Sequence, residues 1–366
     1  MPPFAGLRPL LLPLLVMGVA LALFHLRVGA DMGDFDVARS AGQRALSGAP
    51  LYPPGDVPSP FVHLPIVAVA MGPWALANHD AARIGWYAVS CALLMLLLRW
   101  SVIGMPARRW SDRTLIAVAV ALLANYYVTE LTLGQSTLVL SLLLLGTAGA
   151  LQVEVPKLAA GTAAGAALLH PVAIIAVVSL TLTHGAGTGA VSIALIAAGL
   201  LLPALLYGWT GNLEQLSAWW HSTPGIASAA DNLSVASVWA AWVGSGPLAA
   251  GLATVTAVLL LGVAFTVWRQ RAHVQEPEYL EFALLISLLP LLAAHSPSHQ
   301  LILATPALML VVDRWRELQA PWRWTSVGAL VILGGAALLP TSWGLPTVAL
   351  VALVATLAQL RLRRLA

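Results

Sequence analysis

Long apolar runs separated by short polar segments occupy most of this 366-residue sequence. Hydrophobic residues make up 59% of the chain and charged residues only 9%, whereas soluble domains carry roughly 25% charged residues. A helix needs about 20 predominantly apolar residues to cross a lipid bilayer, and several of the runs approach that length. The sequence therefore predicts an all-α polytopic membrane protein.

Glycine, proline and charged residues divide the apolar sequence into about 12 candidate transmembrane helices. The candidate spans are residues 7–26, 82–100, 114–129, 136–151, 158–169, 172–183, 190–209, 247–268, 278–294, 300–313, 324–340 and 345–360. The first run is longer than the core of a signal peptide and lacks a clear cleavage site, so we expect a retained helix. Two runs are short and flank His170-Pro171, which predicts a helical hairpin with His170 at its tip.

The segment from Pro60 to Ala77 is apolar but interrupted by prolines. If it lies at the membrane interface instead of crossing, the lysines and arginines fall on the cytoplasmic side except for Arg27, Arg39, Arg44 and Arg83. This arrangement obeys the positive-inside rule. We therefore expect cytoplasmic termini, an outer juxtamembrane helix, and one domain over residues 1–366 with outer loops at 33–81 and 210–245.

The first outer loop is acidic, with Asp31, Asp34 and Asp36 close together in the sequence. A half-buried carboxylate acts as a general base or binds a divalent cation. Asp34 and Asp36 lie on different faces if this segment is helical, so at most one of them is expected to face a given substrate. The alternatives are solvated loop charges, or Asp34 as the N-cap of a helix over residues 35–47.

Further polar groups are predicted on the same side of the membrane. Gly134-Gln135 joins two spans, where glycine permits close backbone approach and glutamine both donates and accepts hydrogen bonds. His170 at the hairpin tip is a candidate proton carrier or anion contact, against the alternative of a structural donor. His295 and His299 flank Pro297, which makes a helical zinc site doubtful and favours contacts to a phosphate or sugar.

Tryptophans in the second outer loop stack on sugars or anchor the chain at the interface, and the anchor is the safer interpretation for Trp239 and Trp242. The net charge of +3 is spread over short loops, which indicates membrane orientation and no nucleic-acid partner. The single cysteine, Cys91, excludes a disulfide framework. No phosphate-binding or dinucleotide fingerprint is present in the sequence.

Seven short motifs, in order, resemble those of glycosyltransferase family 87 in the GT-C superfamily of integral-membrane glycosyltransferases. They are Asp34-Phe35-x-Val37, Ala41 to Tyr52, Pro60-Phe61-x-His63-x-Pro65, Gly134-Gln135, Ala160-Gly161 to His170-Pro171, Asn232-x-Ser234 and Ser296-Pro297-x-x-His299. The chain departs from the family pattern at Ala38, where tyrosine is usual, and at His170, which replaces a lysine. The final motif is also shortened.

The resemblance implies a GT-C-like bundle that transfers a sugar (mannose or another hexose or pentose) from a polyprenyl-phosphate donor to a lipid or glycan acceptor. It implies inversion at the outer face of a bacterial inner (plasma) membrane, without a metal or other cofactor. Asp34 is the candidate base, with Arg39, His170 and His299 on the phosphate side and Gln135 positioning the sugar or backbone. The remaining candidates for substrate binding are Asp36, Tyr52, Asn232 and Ser296.

A lipid or small-molecule transporter is the alternative, because transporters also contain broken helices and intramembrane polar residues. Few charged residues fall at the centres of the spans, and no paired repeat halves are evident. A purely structural subunit is the third possibility, and the outer polar cluster argues against it. Membrane lipids are expected partners in each case.

Overall fold

The computed structural model describes residues 32–53, 60–222, 232–271, 277–335 and 344–362, together with Ala22, Phe24 and Leu26. These residues form helices and connecting turns, with one isolated bridge between Asn232 and Pro297. The predicted span 7–26 lies almost entirely outside the described residues, as does Asp31.

The helices are named here in chain order. They are α1 (Gly33–Ser47), α2 (Pro65–Ala70), α3 (Gly72–Leu76), α4 (His79–Ile103), α5 (Asp112–Leu133), α6 (Thr137–Gln152), α7 (Pro156–Leu169), α8 (Ile174–His184), α9 (Ala186–Leu201), α10 (Ala204–Ser222), α11 (Val235–Val243), α12 (Pro247–Arg269), α13 (Glu278–Leu292), α14 (Thr305–Arg314), α15 (Ala320–Gly335) and α16 (Leu345–Leu362). Short 3-10 turns cover Pro171–Ala173, Ser298–Ala304 and Trp315–Glu317.

Several apolar helices make this a membrane protein. Within the described ranges, α4, α5 and α12 are long and apolar enough to cross a bilayer as single helices. The bent pair α9 and α10 would add a fourth span if counted as one. Helices α6 and α16 and the segment Pro171–His184 are apolar but shorter. The total of about 12 spans stays a prediction.

Helix α13 lies at the centre of the bundle. Its residues from Phe282 to Leu291 are buried almost without interruption, and it packs against α6, α12 and α16. Helix α12, in contrast, exposes Val255, Val258 and Leu259, as expected of a helix that faces lipid. The apolar core therefore surrounds α13.

The predicted hairpin is present. Helices α7 and α8 pack against each other, and His170 between them is extended, with φ −142° and ψ 105°. The residue before a proline is excluded from the helical region, so Pro171 ends α7 at Leu169. The tip of the hairpin is therefore His170, as the sequence predicts.

The predicted span 190–209 is broken. Helix α9 ends at Leu201 and α10 begins at Ala204, with a bend of 92° between them. Pro203 falls at the break and removes a backbone donor, while Asn212 Nδ2 donates to the Leu200 carbonyl at 3.0 Å. A terminal carbonyl of α9 is thereby satisfied across the bend.

The second outer loop is more helical than expected. Helix α10 is kinked at Gly208, where φ is 69° and ψ is 175°, and continues to Ser222. Helix α11 occupies Val235–Val243, so much of the predicted loop 210–245 is helix. The sequence from Asn212 to Ser222 contains neither glycine nor proline, and nothing in it opposes a helix. The intervening residues 223–231 lie outside the described ranges.

The first outer segment is a layer of short helices. Helix α1 covers residues 33–47, where a helix was one of the alternatives, and it packs against α2 and α3. The apolar segment 60–77 forms the short α2 and α3, neither of which approaches the length of a membrane span. A small core of Ala41, Ala45, Leu51, Phe61 and Ala68 holds this layer together.

Helix α10 is joined to this layer of short helices by three hydrogen bonds. Gln215 Oε1 accepts from the Leu51 backbone N–H at 2.8 Å, and Trp219 Nε1 donates to the Val62 carbonyl at 3.0 Å. The Tyr207 hydroxyl donates to the Ala49 carbonyl at 3.0 Å. These bonds fix the loop between α1 and α2 beside the helix ends that carry the candidate site.

Candidate functional site

Asp34 lies in the first turn of α1 and is half-buried. The N-cap residue is Met32, so the alternative of Asp34 as the N-cap is wrong. Its Oδ2 instead accepts a hydrogen bond from Gln135 Nε2. The carboxylate therefore points to the turn between α5 and α6 and is held there by an uncharged donor.

The turn between α5 and α6 is shaped by Gly134. Its φ is +69°, and an added Cβ would lie 2.6 Å from Phe35 Cβ, so the backbone of α1 approaches too closely for any side chain. Trp86 Nε1 donates to the Gly134 carbonyl at 2.9 Å, and its ring stacks on Phe35 at 5.5 Å between centroids. This aromatic contact places Gln135 against Asp34.

Glu130 is a buried acid beside the same turn. Only 1% of it is exposed, and its Oε1 accepts from the Leu138 backbone N–H at 3.0 Å. The first amides of a helix have no intrahelical partner, and the N-cap Ser136 makes no capping bond with its side chain. Glu130 therefore caps α6 and supports the turn that presents Gln135.

Three histidines meet near the hairpin tip. His63 Nδ1 lies 3.3 Å from the Leu169 carbonyl, which brings the loop before α2 against the end of α7. His170 interacts electrostatically with both His63 and His295, and His295 also interacts with Asp34. His295, in the loop after α13, is thus within electrostatic range of both the Asp34 carboxylate and the His170 imidazole.

That loop is clamped by Asn232. Its Oδ1 accepts from the backbone N–H groups of Ser234 at 3.0 Å and Ser296 at 3.1 Å, while its Nδ2 donates to the Ala294 carbonyl at 3.1 Å. Ser296 is fully buried, and its hydroxyl donates to Gln300 Oε1 at 2.8 Å. Asn232 and Ser296 therefore position the loop, and His295 is the exposed side chain that it carries.

Four predicted site residues have structural contacts or are buried. Asp36 forms an ion pair with Arg83 and lies 3.1 Å from His79 Nε2. Arg39 donates to the carbonyls of Trp74 at 3.1 Å and Ala77 at 2.8 Å. The other two are Tyr52, whose hydroxyl donates to the His63 carbonyl at 2.6 Å, and His299, which is only 3% exposed.

The site perturbs its titratable groups. Burial raises the pKa of Asp34, and the hydrogen bond from Gln135 and the charge of His295 offset part of that rise. Burial, with the neighbouring His63 and His295, lowers the pKa of His170 to about 4. At neutral pH His170 is therefore an uncharged imidazole, unlike the lysine that the family motif carries at this position.

His63 was not assigned a role from the sequence, although it lies in the motif Pro60-Phe61-x-His63-x-Pro65. His295 was expected to contact a phosphate or sugar together with His299, but the family motif begins at Ser296 and directed attention to His299. The alternation of one exposed and one buried histidine around Pro297 follows from the Asn232 clamp, which sequence spacing does not reveal. Among the described residues, no group of three or more His, Cys, Asp or Glu side chains is arranged to hold a metal ion.

The sequence profile of glycosyltransferase family 87 matches residues 61–297. The match includes Gln135, His170 and the clamp from Asn232 to Ser296, but it begins after Asp34 and ends before His299. No curated protein and no solved structure matches the chain significantly. Because the matched region is more than half of the sequence and the fold is a bundle of apolar helices, this chain belongs to glycosyltransferase family 87.

Proposed function

We propose that this glycosyltransferase moves a sugar from a polyprenyl-phosphate donor to a hydroxyl of a lipid or glycan acceptor. Mannose is the first candidate sugar, and another hexose or a pentose is the alternative. The observation that carries the proposal is the half-buried Asp34 carboxylate, held by Gln135 and connected electrostatically through His295 to His170. Asp34 would then accept the proton of the acceptor hydroxyl, and His170 and His295 would contact the departing phosphate.

Asp34 is the proposed general base. The acceptor oxygen attacks the anomeric carbon as its proton passes to the Asp34 carboxylate, and the bond from that carbon to the phosphate oxygen breaks. The phosphate leaves with the bonding electrons, and the configuration inverts. Burial raises the pKa of Asp34 and so strengthens it as a base, while Gln135 and His295 favour the ionised form that the reaction requires.

His170 and His295 are the proposed contacts of the departing phosphate. Both belong to connections at the same end of the bundle as Asp34, and developing charge on a phosphate is stabilised by directed N–H donors. Arg39 is proposed to have a structural role instead, because its Nε and Nη2 donate to the carbonyls of Trp74 and Ala77. His299 is proposed to pack inside the loop.

The charge distribution supports an outer site. The opposite end of the bundle carries a basic cluster in which Asp313 accepts from the backbone N–H groups of Arg109 and Trp110, each at 2.9 Å. Arg314 donates to the Pro106 and Ala107 carbonyls there at 2.6 Å. Basic residues prefer the cytoplasmic side, so the Asp34 end is proposed to face outward in an inner (plasma) membrane.

The test is a transfer assay in proteoliposomes with polyprenyl-phosphate sugars and a panel of lipid and glycan acceptors. Wild-type protein is expected to release polyprenyl phosphate in step with product. The Asp34→Asn variant is expected to unfold at an unchanged temperature and to lose at least about 100-fold in kcat. Asp80→Asn is the matched control, since the Asp80 side chain is 88% exposed and its variant should remain active.

Two outcomes would contradict the proposal. Full transfer activity in Asp34→Asn would remove the base assignment. Movement of the polyprenyl-phosphate sugar across the vesicle membrane, with no glycosylated product from any acceptor, would instead identify a transporter.

A further inference from the structure

The imidazole of His170 has an open hydrogen-bonding position. Its backbone N–H donates to the Ala166 carbonyl and its carbonyl accepts from the Ala173 N–H, each at 2.8 Å, so the backbone is fixed. Its Nδ1 is buried and has no hydrogen-bond partner among the described residues. Buried polar atoms are nearly always satisfied, which indicates that a ligand or water completes this position.

The titratable groups that face His170 come from the loops around it. His63 lies in the loop before α2, and His295 lies in the loop after α13. Tyr52 is hydrogen-bonded to the His63 carbonyl. Helices α7, α8 and α13 carry their charged or titratable residues at the opposite end of the bundle, and α2 carries none; these residues are Lys157, His184, Glu278, Tyr279 and Glu281.

Permanent cations near the site are engaged elsewhere. Arg39 is bound to backbone carbonyls, and Arg83 is paired with Asp36. Arg44 lies ten positions beyond Asp34 on α1 and interacts with Tyr207, which places it roughly 15 Å along the helix. Arg27 lies outside the described residues. A departing phosphate therefore meets imidazoles at the hairpin tip and no described arginine that is free of another partner.

We propose that His170 binds the phosphate of the polyprenyl carrier and takes up a proton as the phosphate binds. The inference rests on the proposed function and deepens it. Bond breakage adds one negative charge to the phosphate, and an adjacent anion favours the imidazolium over the neutral ring. Burial keeps the imidazole uncharged, so no isolated cation has to be maintained there. The histidine thus supplies positive charge only when the phosphate is present.

Proton uptake is measured by titration calorimetry of the detergent-solubilised full chain with a short-chain polyprenyl phosphate at pH 7.5. Two buffers with different ionisation enthalpies report the number of protons bound with the phosphate. Wild-type protein is expected to take up about one proton per phosphate bound. The polyprenyl monophosphate is nearly fully ionised at this pH, so it could itself take up a proton on binding. Proton uptake by the phosphate would persist in all variants.

Three variants separate the possible sources of the proton. His170→Gln is expected to bind the phosphate about 10-fold more weakly, because a charge-assisted hydrogen bond is lost, and without uptake. His170→Lys carries its own charge and is expected to bind without uptake. His184→Gln, at the other end of α8, is the matched control and should behave as wild type.

The outcomes are distinct from those of the transfer assay. Tight binding with no proton uptake by the wild-type protein would overturn the role of His170 and leave the proposed function standing. Unchanged uptake in His170→Gln would assign the proton to another group and would also overturn it. Absence of polyprenyl phosphate binding in wild-type protein would contradict both this inference and the proposed function.

Discussion

Asp34 and Gln135 are 101 residues apart in the chain and share a hydrogen bond between their side chains. The bond joins the first turn of α1 to the turn between α5 and α6. It connects the proposed base to an uncharged donor that favours the ionised carboxylate. The strength of the base and the position of α1 therefore depend on the same contact.

Replacing Gln135 by alanine is expected to change the pH dependence of transfer. Loss of the hydrogen bond removes stabilisation from the charged carboxylate, so the pKa of Asp34 rises further. The acidic limb of the pH–rate profile then moves to higher pH. The loss of rate should therefore be largest at acidic pH and should diminish as the pH rises, because the carboxylate of the variant is still ionised at high pH.

The measurement is kcat/KM of Gln135→Ala between pH 5 and 9, beside Gln43→Ala, which removes an exposed amide from α1. The control should keep the wild-type profile. An equal loss of activity at every pH in Gln135→Ala would show that Gln135 does not tune Asp34.

Gly134→Ala is expected to destabilise the protein by about 2 kcal/mol. Alanine is strained at φ +69°, and its Cβ would lie 2.6 Å from Phe35 Cβ and 2.9 Å from Met32 Cε. Relief of that overlap moves α1 away from Gln135, so activity should fall with stability. Thermal unfolding in detergent and the transfer assay measure the two effects.

Gly149→Ala is the matched control in the neighbouring helix α6. An added Cβ there meets nothing within 4 Å, and alanine in a helix is favoured over glycine by about 1 kcal/mol. This variant should unfold at an equal or higher temperature. Tolerance of alanine at both glycines would contradict the close approach of α1 at Gly134.

The secondary structure could be predicted from the sequence wherever local chemistry decides it. His170-Pro171 defines the hairpin tip because a proline excludes the residue before it from the helical region. The helix over residues 35–47 was only one of the alternatives that the sequence left open. The break at Pro203 and the helix to Ser222 were not predicted, because the apolar run from residue 190 to 209 favours one continuous span and the outer loop is rich in polar and small residues.

The site could be predicted only in part. Motif order predicts that Asp34, Gln135 and His170 lie at one end of the bundle. The partners of Arg39 and Asp36 depend on how α1 packs against α3 and α4, and that packing leaves no local signal. The prominence of His295 over His299 similarly depends on the clamp made by Asn232, which lies 64 residues from Ser296 in the chain.

Asp36 and Arg83 are expected to act as a structural pair. Asp36→Asn and Arg83→Gln should each lower the unfolding temperature, because the ion pair ties α1 to α4. The double variant should be less destabilised than the sum of the single variants by about 1 kcal/mol. Additive effects in this double-mutant cycle would contradict the pairing, and a full loss of transfer in Asp36→Asn alone would reassign the base.

Asn232→Ala is expected to loosen the loop that carries His295. The side chain is 4% exposed and makes hydrogen bonds to Ser234, Ser296 and Ala294. Truncation leaves these backbone groups without that partner, so stability should fall by about 3 kcal/mol. Because His295 is proposed to contact the donor phosphate, the KM for the polyprenyl-phosphate donor should rise more than kcat falls.

Asn125→Ala, which removes an exposed amide from α5, should leave both the unfolding temperature and KM unchanged. A fall in kcat with an unchanged donor KM would show that the clamp serves the reacting groups and not the phosphate.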